Sequence, residues 1–451
     1  MADRPRIEEL LSKAQKPSAD ALRLHPFYRG KLAVTPKCPI RTLDDFAVWY
    51  TPGVAAPCRD IAQHPERVFA HTNKGNFVAV VSDGTRVLGL GDIGPHAALP
   101  VMEGKAVLFK YLGGVDAFPI CLDTKNPEEI IQACKWLAPT FGGINLEDIA
   151  KPKCFSILDR LRKELDIPVW HDDQQGTAAV ILAGLLNALK VVKKHKEEVR
   201  ITLVGAGAAN ISVFRVLVAA GFPPGHIIVV DTKGMLHKER MDLRTPDNAA
   251  KWEVCEISNE KQRSGGIAEA LQDADACLAF SRSGPGVIKP EWITTMAKDA
   301  IVFACANPVP EIWPWEAQDA GARVVATGRT DFPNQVNNSL GFPAIFRGVL
   351  DVAARTITDE MCITAAEELA RYAEEKGLSE EYILPRMDEW EIFPREATAV
   401  GMKAIEQGIA QVRMSKEELF AQASRIIKNA REETKALMEA GLILDPPSSS
   451  S

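Results

Sequence analysis

The sequence predicts an α/β protein of two units closed by C-terminal helices, and three observations carry that expectation. Short β-rich runs alternate with helical stretches of βαβ length, first between 77 and 171 and again from 200 to 326. An acidic stretch, His171-Asp172-Asp173-Gln174-Gln175-Gly176-Thr177, lies where the two series join. A glycine-rich turn, Gly205-Ala206-Gly207-Ala208-Ala209-Asn210, follows the first strand of the second series and opens its first helix, the pattern of a Rossmann-type doubly wound sheet.

Bulk composition narrows the function classes. At 451 residues the chain exceeds one ordinary core. A formal charge of −7, from 53 basic and 60 acidic residues, leaves no broad basic surface, so no nucleic-acid partner is expected. The longest apolar run, 178–192, is too short to span a bilayer, and no membrane association is expected. The nine cysteines are scattered without a Cys-x-x-Cys pair, and Cys121, Cys277 and Cys305 fall in apolar runs. Such thiols behave as small hydrophobes in a reducing compartment. With no signal-peptide core after Met1, a cytoplasmic location is expected.

Taken in order, 7–16 reads as a short helix, followed by a proline-punctuated segment too poor in apolar residues for its own core. It is expected to pack on another domain or another subunit, which suits a homo-oligomer, a dimer or tetramer. The runs 77–81 and 86–90 flank Ser82-Asp83-Gly84-Thr85 and read as a hairpin. Next come a helix over 102–111, a strand over 118–122, a loop at Gly142-Gly143, a helix over 158–165 and a strand over 168–171. After the long apolar helix 178–192, strands are expected at 200–204, 227–230, 277–280, 301–304 and 324–326, each ending in a polar or small cluster. Ligands of doubly wound sheets lie outside those carboxyl ends. From 341 the chain reads as helical, with Ser415-Lys-Glu-Glu418 as a capping box.

The candidate chemistry is concentrated in a few residue types. Glu147-Asp148 and Asp172-Asp173 are two acidic dyads at consecutive strand ends, and oxygen ligands from separate loops suit Mg²⁺ or Mn²⁺. Close carboxylates repel unless a cation neutralises them. No His/Cys cluster suits zinc, and His171 reads as a structural hydrogen-bonding group. Gly205 and Gly207 let backbone N–H groups, those of Ala208, Ala209 and Asn210 included, approach a pyrophosphate. Asp231, at the end of the next strand, can accept both ribose hydroxyls and so leans toward NAD, against which Lys233 and Arg240 weigh. Lys105 in Glu103-Gly-Lys-Ala106 is the candidate base, on the expectation that neighbouring positive charge lets it lose a proton. Tyr50, beside Thr51-Pro-Gly53, is a candidate proton donor, although taken alone such a tyrosine is more often a packing residue.

Tyr50-Thr-Pro-Gly-Val-Ala55, Leu88-Gly-Leu-Gly-Asp-Ile-Gly94, Glu103-Gly-Lys105, Leu146-Glu-Asp148, His171-Asp-Asp-Gln-Gln-Gly-Thr-Ala178 and Val204-Gly-Ala-Gly-Ala208 resemble the malic enzymes, in the same order and over roughly residues 45–410. The length resembles the short bacterial and archaeal type. The resemblance implies oxidative decarboxylation of (S)-malate to pyruvate and carbon dioxide with reduction of NAD or NADP. It also implies Lys105 as general base, Tyr50 as the acid that protonates enolpyruvate at C3, and Glu147, Asp148 and Asp173 as metal ligands. Asn307 and Asn338 resemble asparagines that touch substrate and nicotinamide, and Arg86 lies where longer members carry a substrate-binding arginine. Asn210 departs from the family by standing where the third glycine is expected.

The expected organisation is an N-terminal helical extension over 1–48, a catalytic, metal-binding α/β domain over 49–174, an NAD(P)-binding Rossmann domain over 175–340, helices packing back over 341–445 and a disordered tail over 446–451. Two rivals remain at this point: a metal-independent amino-acid dehydrogenase, and a catalytically silent metabolite-sensing or assembly subunit on the same fold.

Overall fold

The computed structural model describes residues 7–447, with side chains from residue 17 onward. Two parallel sheets organise them. The first is built from β1 (Phe77–Ser82), β2 (Asp116–Cys121), β3 (Gly143–Leu146) and β4 (Val169–His171) in the order β2-β1-β3-β4. The second comprises β5 (Ile201–Val204), β6 (Ile227–Asp231), β7 (Gly234–Met235), β8 (Ala276–Ala279), β9 (Ala300–Ala304) and β10 (Ala322–Thr327) in the order β10-β9-β8-β5-β6-β7. Only the edge strand β7 runs antiparallel, against β6. This is the expected α/β class with a doubly wound second sheet and C-terminal helices.

Both faces of the first sheet are covered, which explains why its strands are continuously apolar. Alternation along β1 sends Val78 and Val80 to a core with Phe109, Trp170, Phe342 and Phe346, and Ala79 and Val81 to a core with Ile130, Ile144, Ile157 and Leu161. The C-terminal helices Phe342–Asp351, Ile392–Glu406 and Lys416–Glu439 therefore return to close the first sheet. Ser415 caps the last of them: its hydroxyl accepts from the Glu418 N–H at 3.2 Å and its own N–H donates to the Glu418 carboxylate at 2.8 Å.

Three local expectations are corrected. The run 86–90 does not pair as a hairpin arm: β1 is flanked by β2 and β3, both parallel, and 84–94 is an irregular loop with positive φ at Gly84, Leu88, Gly91 and Gly94. The N-terminal helix does not end at 16 but spans Ile7–Tyr28 through Pro17 and Pro26. The helix at the join is longer than the apolar run 178–192, because the turn Asp172–Gly176 runs directly into Thr177–Val192 to give 21 continuous residues. That length and composition match a bilayer span, but the helix is buried from Ala178 to Leu185 between the sheets and the C-terminal helices. Of the expected disordered tail, residues 448–451 lie outside the described residues, while the Pro447 carbonyl accepts from Arg23 Nη1 at 2.5 Å.

Candidate functional site

The carboxyl ends of β3 and β4 deliver the acidic residues to one place. Glu147 and Asp148 follow β3 directly, and Asp173 lies in the turn after β4. One carboxylate oxygen from each of the three lies within 4.8 Å of the others. Asp148 holds φ at +54°, a left-handed conformation that aspartate tolerates better than most residues. That backbone aims its N–H at Asp173 Oδ2, 2.9 Å away. Asn145 Nδ2 fixes Glu147 by donating to Oε2 at 2.9 Å.

The turn Asp172–Gly176 is a π-helical turn, a form that widens the helix and recurs at functional sites. It separates the two neighbouring aspartates. Asp173 faces Asp148, whereas Asp172 is wholly buried, receives Trp170 Nε1 at 3.0 Å and meets Lys105 Nζ at 2.6 Å. Gly176 is required by space, since a Cβ there would stand 2.0 Å from Asp172 Oδ1. The same Cβ would stand 3.3 Å from that of Asn338, which places Asn338 against the turn.

Lys105, on the helix Gly94–Gly113, is 8% exposed. Its ammonium also lies 3.1 Å from Glu147 Oε1 and 4.4 Å from the centre of the Phe342 ring. The expected positive neighbourhood is corrected: burial works against the charge, but Asp172 and then Glu147 outweigh it and hold the ammonium well above the usual lysine range. Burial, with the charge of Asp173 next, pushes Asp148 up to about 7. Glu147 is raised for the same first reason, and Asp148 Oδ2 has no hydrogen-bond partner among the described residues. Three crowded carboxylates, one with an orphaned buried oxygen, fit a divalent cation by donor type and by their excess charge. His171 is also corrected. Neither ring nitrogen has a hydrogen-bond partner among the described residues, and Nδ1 lies 3.7 Å from Asp173 Oδ2.

The irregular loop brings further residues in. Arg86 donates its backbone N–H to the Asp148 carbonyl at 3.0 Å, and Leu88 N–H reaches Asp148 Oδ1 at 3.4 Å, so Arg86 is carried at the rim of the acidic cluster. A Cβ on Gly89 would stand 3.5 Å from the Asn307 carbonyl, which sets the exposed Asn307 of the second sheet against this loop. Tyr50 is not brought in. It is 70% exposed, and its segment bonds locally, with Trp49 Nε1 donating to the Pro39 carbonyl at 3.0 Å.

At the glycine turn, Gly205 adopts φ +105°, and a Cβ would meet the Phe280 carbonyl at 2.6 Å. A Cβ on Gly207 would meet nothing within 4 Å, leaving a bare cradle at the N-terminus of the helix Ala208–Ala219, a position that favours anions. Asn210 turns its amide inward to the Val204 and Gly205 carbonyls at 2.8 and 2.9 Å, so its side chain shapes the turn. Asp231 is already engaged, by Arg240 at 3.2 Å to each oxygen and by Lys251 at 3.0 Å. Burial alone would raise its pKa, but Arg240, the Lys233 N–H and Lys251 lower it.

Sequence reasoning missed two groups here. Asp172 is the partner of Lys105, and Lys151 reaches across to the Ala206 carbonyl at 3.2 Å. A lysine three residues after the metal-type dyad was a signal for the second; nothing in an Asp-Asp pair separates their roles.

Comparison with known proteins agrees with this geometry. Residues 29–162 match the family model "Malic enzyme, N-terminal domain" and residues 174–407 match "Malic enzyme, NAD binding domain". The chain is 47% identical over 407 residues to the bifunctional malic/malolactic enzyme of Bacillus subtilis, covering 90% of this chain and 98% of that one. It is 51% identical over 382 residues to the NAD-dependent malic enzyme of Geobacillus stearothermophilus, covering 85% and 78%. Among solved structures, Entamoeba histolytica malic enzyme superposes with a TM-score of 0.96 at 48% identity, covering 99% of this chain and 93% of that one.

Proposed function

The chain belongs to the malic enzyme family, and from that premise we propose that Lys105, Tyr50, Arg86 and the Glu147/Asp148/Asp173 cluster carry its reaction. That reaction is the oxidative decarboxylation of (S)-malate to pyruvate and carbon dioxide with reduction of NAD(P). The observation that supports these roles most directly is the trio of carboxylates within 4.8 Å, bordered by a buried lysine.

Glu147, Asp148 and Asp173 would hold Mg²⁺ or Mn²⁺, which when bound supplies Lewis-acid polarisation of the substrate's C2 oxygen. The turn from Gly205 to Asn210 would hold the dinucleotide, which when bound supplies the hydride acceptor. The remaining work belongs to side chains of this protein. Lys105 Nζ, fixed by Asp172 and stacked on Phe342, exchanges a proton with the C2 hydroxyl. Arg86, with Asn307 and Asn338, binds the carboxylates and orients the substrate between the two sheets. Tyr50 protonates C3 of enolpyruvate, which fixes the product as pyruvate. Buried free thiols at Cys134, Cys154, Cys255, Cys277, Cys305 and Cys362 support a reducing, cytoplasmic location.

The test is the absorbance of reduced nucleotide formed with malate and Mn²⁺, run with NAD and with NADP. Turnover with at least one nucleotide is expected, with loss in Lys105→Ala and Tyr50→Phe. Undiminished turnover in either variant removes that residue from its role.

A further inference from the structure

Glu311 is wholly buried and has no part in the proton transfers assigned to Lys105 and Tyr50. It lies in the connection between β9 and the helix Pro314–Asp319, and its two oxygens face two different loops. Just beyond β8, the Ser281 N–H and hydroxyl both donate to Oε1, at 2.8 and 3.0 Å. Just beyond β9, the Ala306 N–H donates to Oε2 at 3.0 Å. Burial raises the pKa of Glu311, and those N–H donors work against the rise. A buried carboxyl is costly to desolvate, and an apolar side chain would fill the space without that cost, so its gain lies in what the two oxygens hold.

What they hold is the frame of Asn307, the residue after Ala306. On the far side of that frame Arg329, just beyond β10, donates Nη1 to the Pro308 carbonyl at 2.9 Å. A Cβ on Gly328 would stand 2.7 Å from Asn307 Nδ2 and 2.9 Å from the Cys305 carbonyl, so the Asn307 amide lies directly against the end of β10. Asn307 is itself exposed, yet the residues on either side of it are tied down from both neighbouring strands.

Strand order decides which half of a dinucleotide this frame meets. β5 pairs with β6 on one side and β8 on the other, so the chain order reverses at the boundary of β5 and β8. A dinucleotide straddles that crevice with its pyrophosphate at the first βα turn. Asp231 ends β6, on the side of the adenosine ribose, and Ser281, Asn307 and Gly328, beyond β8, β9 and β10, therefore fall to the nicotinamide half.

We propose that Glu311 is a positioning residue for hydride transfer. By bridging the loops after β8 and β9 it fixes Asn307 toward the nicotinamide half of the dinucleotide, and it takes no part in holding the adenosine half. The proposal rests on the assignment of Asn307 as a contact of nicotinamide and substrate.

The test begins with Glu311→Gln, which keeps the volume but turns an amide NH₂ toward one of the two N–H groups and so releases one loop. With malate, kcat should fall by about 10–100-fold, the scale of a small misplacement of reacting groups. The primary isotope effect from malate deuterated at C2 should rise, because hydride transfer becomes the slower step. Calorimetric affinity for ADP-ribose, which lacks the nicotinamide ring, should stay at the wild-type value. Gly328→Ala crowds the Asn307 amide from the other strand, so it should give the same signature and carries the test should Glu311→Gln not fold. Asn307→Ala and the double variant Asn307→Ala/Glu311→Gln complete a cycle: a residue acting through Asn307 makes the double variant no slower than Asn307→Ala alone. Unchanged kcat in Glu311→Gln, losses that multiply in the double variant, or ADP-ribose affinity that falls along with kcat each overturn the positioning role while leaving the Asn307 contact standing. An Asn307→Ala enzyme as active as wild type overturns the contact assigned to Asn307, and the positioning role with it.

Discussion

Lys105 and Asp172 form a buried ion pair, Nζ to Oδ2 at 2.6 Å, and the same ammonium lies 3.1 Å from Glu147 Oε1 at the edge of the acidic trio. Neighbouring aspartates with opposite outlooks divide two tasks: Asp172 holds the lysine and Asp173 faces Glu147 and Asp148. Asp172→Asn should therefore impair the oxidation step while sparing nucleotide affinity. Removing one partner of a buried pair costs roughly 3–5 kcal/mol, and Glu147 at 3.1 Å from the lysine places the expected loss at the lower end. Denaturant unfolding and kcat measured together check this, and unchanged kcat would leave Asp172 a purely structural residue.

Metal removal should act on stability as well as turnover. A cation that binds only the folded state adds about 2.7 kcal/mol at a hundred times its Kd, so Tm should rise with Mn²⁺ and fall back with chelator. Asp173→Asn, which keeps the shape and removes a ligand charge, should abolish most of that shift. A full Mn²⁺-dependent shift in the variant would place the ion elsewhere.

The nucleotide choice turns on Asp231. Its oxygens are occupied by Arg240 and Lys251, so the repulsion it offers a 2′-phosphate is largely neutralised. Asp231→Ser should release both cations and move the kcat/KM ratio toward NADP by about 10–100-fold, an effect of roughly 1.4–3 kcal/mol. The ratio for the two nucleotides in wild type and variant measures it; no change would mean that the ribose lies away from this carboxylate.

Two glycines of one turn should respond differently. Gly205→Ala forces a left-handed φ and a 2.6 Å contact with the Phe280 carbonyl, so both Tm and nucleotide affinity should fall. Gly207→Ala meets no protein atom within 4 Å, so Tm should hold while the KM for nucleotide rises. Equal affinity in Gly207→Ala and wild type would show that the dinucleotide does not enter this cradle.

Much of this site was legible because its chemistry dictates residue types at strand ends: acids after β3 and β4, glycines after β5, an aspartate ending β6. The alternation Val87-Leu-Gly-Leu90 misled because it repeats a strand's spacing, whereas the backbone there needs positive φ at Leu88 and Gly91 to reach Asp148. The division between Asp172 and Asp173 was not legible, since only the π-helical turn decides which carboxylate faces the lysine. Nor was the exposure of Tyr50: a motif names a residue without saying in which direction it is presented.

The cysteines acquire a practical meaning from their distribution. Six are buried and two partly so, while Cys58, in the helix Ala55–Gln63, is exposed. A thiol reagent applied to the folded protein will therefore label Cys58 first, without any engineered handle. Labelling then counts folded molecules: one fast adduct at Cys58 while the six buried thiols stay covered, and further adducts as the chain unfolds, read by mass spectrometry of the intact chain.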